Sequence, residues 1–170
     1  MKTSKRINRQ IVISIGAGVL LILLYMIIFR FSAQNSDESG ALSRSISSMC
    51  VNMYNSFSGG HMSGMRIEQL IAKYEGPIRK MAHFTEYACM GILVYVLCVQ
   101  WMKRGKRLWL LNIVWVAVSA AADEFHQLFV PGRDGNIADV CLDTFGGTVG
   151  LLFCILTGML LARRQRKKRR

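Results

Sequence analysis

Ile11 to Phe29 is a run of 19 residues without a single charge. As an α-helix it reaches roughly 29 Å, the thickness of one hydrocarbon core. Backbone in lipid must satisfy its polar groups internally, so a run of this kind is committed to a helix. Lys2, Lys5, Arg6 and Arg9 precede it, as in a secretory signal. It is long for a signal's apolar core, however, and Arg30-Phe31 spoils the small-residue cleavage pattern. We read an uncleaved membrane anchor.

Three further runs extend the pattern. Pro77 to Trp101 is apolar after a polar start, Leu108 to Val130 is apolar until near its end, and Ile137 to Ala162 turns apolar after Asp139 and Asp143. Each is long enough to cross with some tilt. Apolar residues make up 52% of the 170-residue chain and charged residues only 19%, more apolar than a soluble domain requires. The expected fold is all-α: one domain spanning 1–170, a bundle of four transmembrane helices with spans near 11–30, 77–101, 108–130 and 137–162. Five cysteines without a C-x-x-C spacing do not form a disulfide framework.

The net charge of +12 is localised. The N-tail, the turn "KRGKR" and the tail at 163–170 hold 15 of the 22 basic residues and no acidic one. With four spans these segments fall on one side. The positive-inside rule makes that side cytoplasmic, together with both termini. The basic blocks flank apolar runs, which fits the lipid bilayer as partner and argues against nucleic acid.

Residues 31–76 then form an external loop. Leu42, Ile46, Met49, Cys50, Met53 and Phe57 recur at helical spacing, as do Ile67, Leu70, Ile71 and Tyr74. Two short amphipathic helices, on the outer surface or capping the bundle, are expected.

In this topology three polar clusters meet at the external ends of their spans: "PIRKMAHFTEY", "DEFHQ" and "NIADVCLD". His83, Glu86, Asp123 and Asp143 all come out roughly 9–13 Å deep at 1.5 Å per residue. Arg79, His83 and Glu86 share one helix face; so do Asp123, His126 and Gln127, and so do Asp139 and Asp143. Gly146 and Gly150 continue the last face with a Gly-x-x-x-Gly spacing that allows close helix approach. An ionised carboxylate at mid-bilayer costs on the order of 2.5–3.5 kcal/mol on insertion scales. Several at one depth therefore imply a shared polar chamber open to the outside.

Plainer roles compete for these residues. Asn136 can cap the last span with Asp139 reaching back as a capping-box partner. "VPGRDGN" is a turn sequence, and Arg133 can pair with Asp123, Glu124 or Asp139. Tyr87, Trp101 and Trp109 suit an interfacial belt. The polar residues together can be a structural network as well as a site. Six acids (Glu86, Asp123, Glu124, Asp134, Asp139, Asp143) face Arg79, Lys80 and Arg133, an excess that calls for protonation, a metal ion or a cationic ligand group.

These residues also carry a resemblance. "RKMAHFTEYACMG" with "DEFHQLFVPGRDGNIADVCLDTFGGTVG", and "FRFSAQ" after the first span, resemble the VanZ-like family of bacterial integral membrane proteins over about residues 25–155. The motif residues are His83, Glu86, Tyr87, Asp123, Glu124, His126, Gln127, Pro131, Gly132, Arg133 and Asp139. Asp143 departs from the family, where many members have Asn. The resemblance implies a multi-pass protein of the bacterial cell membrane and a setting in the Gram-positive envelope. The family's namesake is linked to lowered susceptibility to teicoplanin.

Two functional classes follow. The first is a non-enzymatic protein that binds a lipid-linked wall precursor or an envelope partner in the external chamber and limits access of lipoglycopeptides. The second is an intramembrane hydrolase or transferase acting on a lipid-linked envelope molecule. In it Glu86 or Glu124 is general base, His83 and His126 are metal ligands or the acid, with Glu86 a further candidate ligand of a divalent metal, and Arg133 is a phosphate clamp. The spacing His83-x-x-Glu86 is the one metal-like feature; no His-Glu-x-x-His, nucleophile elbow or P-loop is present in the sequence. A coupled transporter is disfavoured, because a one-sided chamber provides no path across.

Overall fold

A computed structural model describes residues 2–34 and 36–168. It consists of five helices: α1 (Lys2–Ser32), α2 (Ser36–Phe57), α3 (Gly64–Cys98), α4 (Lys106–Gln127) and α5 (Ile137–Lys168). The described residues contain no strand. Helices α1, α3, α4 and α5 are long and apolar enough to cross a membrane, and α2 is the fifth, non-spanning element. The all-α bundle of four candidate spans is therefore as expected.

Helices α1, α3 and α5 extend beyond the expected spans. Pro77 suits the first turn of a helix, which places a start there on sequence grounds. The structure instead runs α3 straight through Pro77 from a start at Ser63, whose hydroxyl accepts the Arg66 N–H at 3.3 Å, satisfying one of the orphan donors of the first turn. The apolar positions Ile67, Leu70, Ile71 and Tyr74 thus do not form a second short helix but are the first turns of α3. Only α2 stands alone. It lies antiparallel on these turns, Gly40 against Glu75 and Arg79 and Arg44 paired with Glu68 at 2.5 Å. At its other end α5 carries the basic tail as helix to Lys168; Arg169 and Arg170 lie outside the described residues.

Helix directions follow from long-range bonds. Gln10 Nε2 donates to the Gln100 carbonyl at 2.7 Å and Trp101 Nε1 to Ser14 Oγ at 2.8 Å, so α1 and α3 are antiparallel. Asn112 Nδ2 donates to the Gly91 carbonyl at 2.9 Å, and Tyr87 Oη to the Ser119 carbonyl at 3.5 Å, so α3 and α4 are antiparallel. Arg104 lies against Gly158 of α5. The start of α1, the α3–α4 turn and the end of α5 gather at one basic end. The end of α1, the α4–α5 turn and the start of α5 gather at the other, polar end.

The central seam is α3 on α5, the most extensive contact in the molecule. It is made by glycine. A Cβ on Gly146 would strike the Phe84 carbonyl, one on Gly150 the Ala88 carbonyl, and one on Gly91 the Gly147 carbonyl. Backbones touch, which is how helices gain van der Waals contact where lipid is as apolar as any side chain. Around this seam Tyr87, Met90, Val94, Val116 and Ala120 form the apolar core. Tyr87 is fully buried there, so it is a core residue and not part of an interfacial belt.

Candidate functional site

The polar end encloses a cavity of about 430 Å³. Its walls come from α3, from the end of α4, from the α4–α5 turn and from the start of α5. Arg79, His83, Glu124, Gln127, Arg133, Asp139 and Asp143 all line it, so of the eleven candidate polar-site residues, which also include Glu86, Tyr87, Asp123 and His126, seven converge. Lys80 and Asp134 line it too. Glu75, also in the wall, was missed because the sequence boundary was drawn at Pro77. The signal was present: Ala72, Glu75, Arg79 and His83 stay on one helical face across the proline.

The remaining four lie elsewhere. Asp123, His126 and Tyr87 line a separate cleft of about 380 Å³ with Tyr25, Phe29 and Ser119, on the α1–α4 side. The His126 ring stacks on Phe29 with centroids 4.8 Å apart, and its Nε2 is buried without a partner. Glu86 lines a small pocket of about 60 Å³ with His83, Arg79 and Phe31. The expected single chamber is thus divided. Asp123 is the link: Gln127 Nε2, in the cavity wall, donates to Asp123 Oδ2 at 3.2 Å, so a hydrogen bond within α4 joins a residue of the cavity lining to one of the cleft lining.

This division separates the candidate metal ligands. His83 Nδ1 and Glu86 Oε2 are 3.9 Å apart, while His126 sits in the cleft. Among the described residues no three His, Cys, Asp or Glu side chains are placed to hold a metal ion. The trio His83, Glu86 and His126 is not assembled.

Arg133 takes none of the carboxylate partners expected of it. Its Nε donates to the Gln34 carbonyl and its Nη2 to the Phe31 carbonyl, both at 3.1 Å. Phe31 lies in the last turn of α1 and Gln34 just past it, where helical acceptors run short of partners and the dipole favours a cation. Burial pushes the guanidinium below its ordinary pKa, and neighbouring Arg79 adds to this.

The capping box is also rearranged. Asn136 Oδ1 accepts the Ala138 N–H at 2.9 Å, so Asn136 does cap α5. The reciprocal acid is Glu124, whose Oε2 accepts the Asn136 N–H at 2.8 Å. Asp139 pairs with Lys80 across to α3 instead. The chain brings a carboxylate from α4 to do locally what the i+3 residue does in the usual box, which frees Asp139 to join α5 to α3.

Several buried polar atoms are left without protein partners at this end: Arg79 Nε, His83 Nδ1, Glu86 Oε2 and both carboxylate oxygens of Asp143. Asp143 is 1% exposed. A buried polar group normally has a partner, so this cluster has the unfilled bonding capacity of a binding site.

A family model described as VanZ/LLP1 matches residues 17–160, a stretch that contains the cavity, the cleft, α2 to α4 whole and parts of α1 and α5. No curated protein and no solved structure gives a significant match. By its sequence over most of its length, this chain is a membrane protein that belongs to the VanZ/LLP1 family.

Proposed function

We propose that this protein lies in the bacterial cell membrane with both termini cytoplasmic and binds a lipid-linked envelope molecule at its outer face. One observation carries the reading: Gln127 lines a polar cavity and its hydrogen-bonded neighbour on α4, Asp123, lines a mainly apolar cleft. An amphiphile needs that pairing. Its headgroup occupies the cavity, and its chain lies in the cleft along Ile28, Phe29, Val118 and Ala122. By holding a wall precursor or a related lipid, the protein limits access of lipoglycopeptides such as teicoplanin.

The enzymatic alternative, a hydrolase or transferase on the same lipid-linked substrate, rests on the buried His83–Glu86 pair. Geometry supports it less. Glu124 is held by the Asn136 N–H, Glu86 faces the small pocket, and Arg133 spends two donor groups on α1.

The test fills each compartment separately. Ala122→Trp obstructs the cleft and His83→Leu removes polarity from the cavity. Both are expected to abolish the teicoplanin phenotype of a complemented deletion strain at normal membrane abundance. Wild-type susceptibility in both strains defeats the reading.

A further inference from the structure

Each permanent cation that lines the polar cavity has a partner other than Asp143, although Arg79 Nε stays unpartnered. Lys80 pairs with Asp139, Arg79 with Glu75 at 3.5 Å, and Arg133 with the carbonyls of Phe31 and Gln34. None bonds to Asp143, which lines the same cavity almost completely buried with both carboxylate oxygens unpartnered. Its neighbour Glu124 differs, since one of its oxygens accepts the Asn136 N–H.

A buried carboxylate needs hydrogen-bond donors, and the fold brings none to Asp143. A hydroxyl-bearing ligand supplies a donor without balancing charge. Charge matters here, because five carboxylates (Glu75, Glu124, Asp134, Asp139, Asp143) face three permanent cations in the lining. A metal ion would need more convergent ligands than the described residues offer. An ammonium group meets both demands: it is positive, and its three N–H donors serve both oxygens of one carboxylate. The cavity's 430 Å³ far exceeds the ~30 Å³ share of a single water, so it has room for a headgroup.

We infer that Asp143 is the recognition point for a primary ammonium group on the ligand of the polar cavity. This rests on the reading that the cavity takes a lipid-linked molecule, and it names that molecule's chemistry. The amine can belong to a phospholipid headgroup or to an amino-acid side chain attached to the lipid.

Native mass spectrometry of the full chain from detergent tests this with two matched pairs of probes. One pair is phosphatidylethanolamine and its N-acetylated form, which keeps phosphate and chains but loses the cation. The other is an N-palmitoyl lysine amide, free and ε-acetylated. In at least one pair the wild-type chain is expected to retain the amine at least tenfold more than its acetylated partner. Which pair shows the preference names the source of the amine. Asp143→Asn is expected to erase the preference without shifting the melting temperature of the lipid-free protein. Equal retention within both pairs overturns the ammonium assignment and leaves the lipid reading standing. Retention of no probe overturns both. An Asp143→Asn protein that keeps the full preference also overturns the assignment. The comparison on wild-type protein decides the matter even if the variant does not fold.

Discussion

Arg133 Nη2 donates to the Phe31 carbonyl at 3.1 Å, tying the α4–α5 turn to the end of α1 across a separation of 102 positions. With the companion bond to Gln34 at 3.1 Å, it makes Arg133 the C-terminal cap of the first helix. Arg133→Ala is therefore expected to act through stability. It removes both of these bonds, leaving the Phe31 carbonyl only the Gln34 N–H at 3.4 Å, at a cost of about 1–3 kcal/mol. Arg133→Lys should recover only part of this, because an ammonium lacks the fork that serves two carbonyls at once. Melting temperatures in detergent check the order wild type, Lys, Ala. Equal melting temperatures for all three remove the capping role.

The glycine seam makes a steeper prediction. A Cβ at Gly150 meets the Ala88 carbonyl and one at Gly146 meets that of Phe84. Both obstacles are backbone, so no side chain can move aside. Gly146→Leu and Gly150→Leu are expected to yield little folded protein, and Gly91→Leu, against the Gly147 carbonyl, should fail likewise. Gly16→Leu and Gly18→Leu, with nothing near either position, are the controls and should be tolerated. Size-exclusion profiles distinguish the outcomes. Monodisperse Gly150→Leu protein at the wild-type melting temperature would contradict the packing described here.

What the sequence made legible was whatever periodicity and charge encode. Four apolar runs, the basic asymmetry and the Gly146-x-x-x-Gly150 face all belong to single segments, and each is read without knowing its neighbours. That the helix carrying the second span begins as early as Gly64 was less legible, because a proline that suits a helix start also sits inside α3. Assignments across helices were less legible. Spacing puts Asp123 and His126 on one face of α4, but it cannot say that α1 turns that face into a cleft by stacking Phe29 on His126. Nor can it say that Glu124 rather than Asp139 completes the cap of α5. Partner choice is a property of packing, and packing joins residues far apart in the chain. Gly91 was passed over for the same reason: a lone glycine in an apolar run shows its purpose only when Gly147 lies against it.

The placement of both termini in the cytoplasm rests on charge and has its own check. In a background with the five native cysteines replaced by Ser or Ala, single cysteines at Gly60 and Gly135 should react with an impermeant maleimide on intact cells. One at Gly105 should react only after lysis. The positive-inside rule expects the basic residues around Gly105 to keep that turn at the cytoplasmic leaflet. Labelling at 105 but not at 60 would invert the topology and move the polar cavity to the cytoplasmic face.

The division of the polar end into cavity and cleft is tested by coupling. His83 lines the cavity and His126 the cleft, with the Asp123–Gln127 bond between them. If both histidines held one metal ion, removing either would release it, and the second removal would cost nothing further. In separate compartments each contacts a different part of the ligand, and sites without shared partners combine additively within about 0.3–0.5 kcal/mol. His83→Gln and His126→Gln each keep a hydrogen-bonding side chain while removing the imidazole. Each is expected to weaken retention of the bound amphiphile, and the double variant should lose the product of the two factors. His126→Gln carries a second signature, since loss of stacking on Phe29 loosens α1 against α4. It should lower the melting temperature slightly, whereas His83→Gln should not. The measurement is a double-mutant cycle on lipid affinity in nanodiscs, with melting curves alongside. A double variant no weaker than either single one would reunite the two histidines in one site and dissolve the partition.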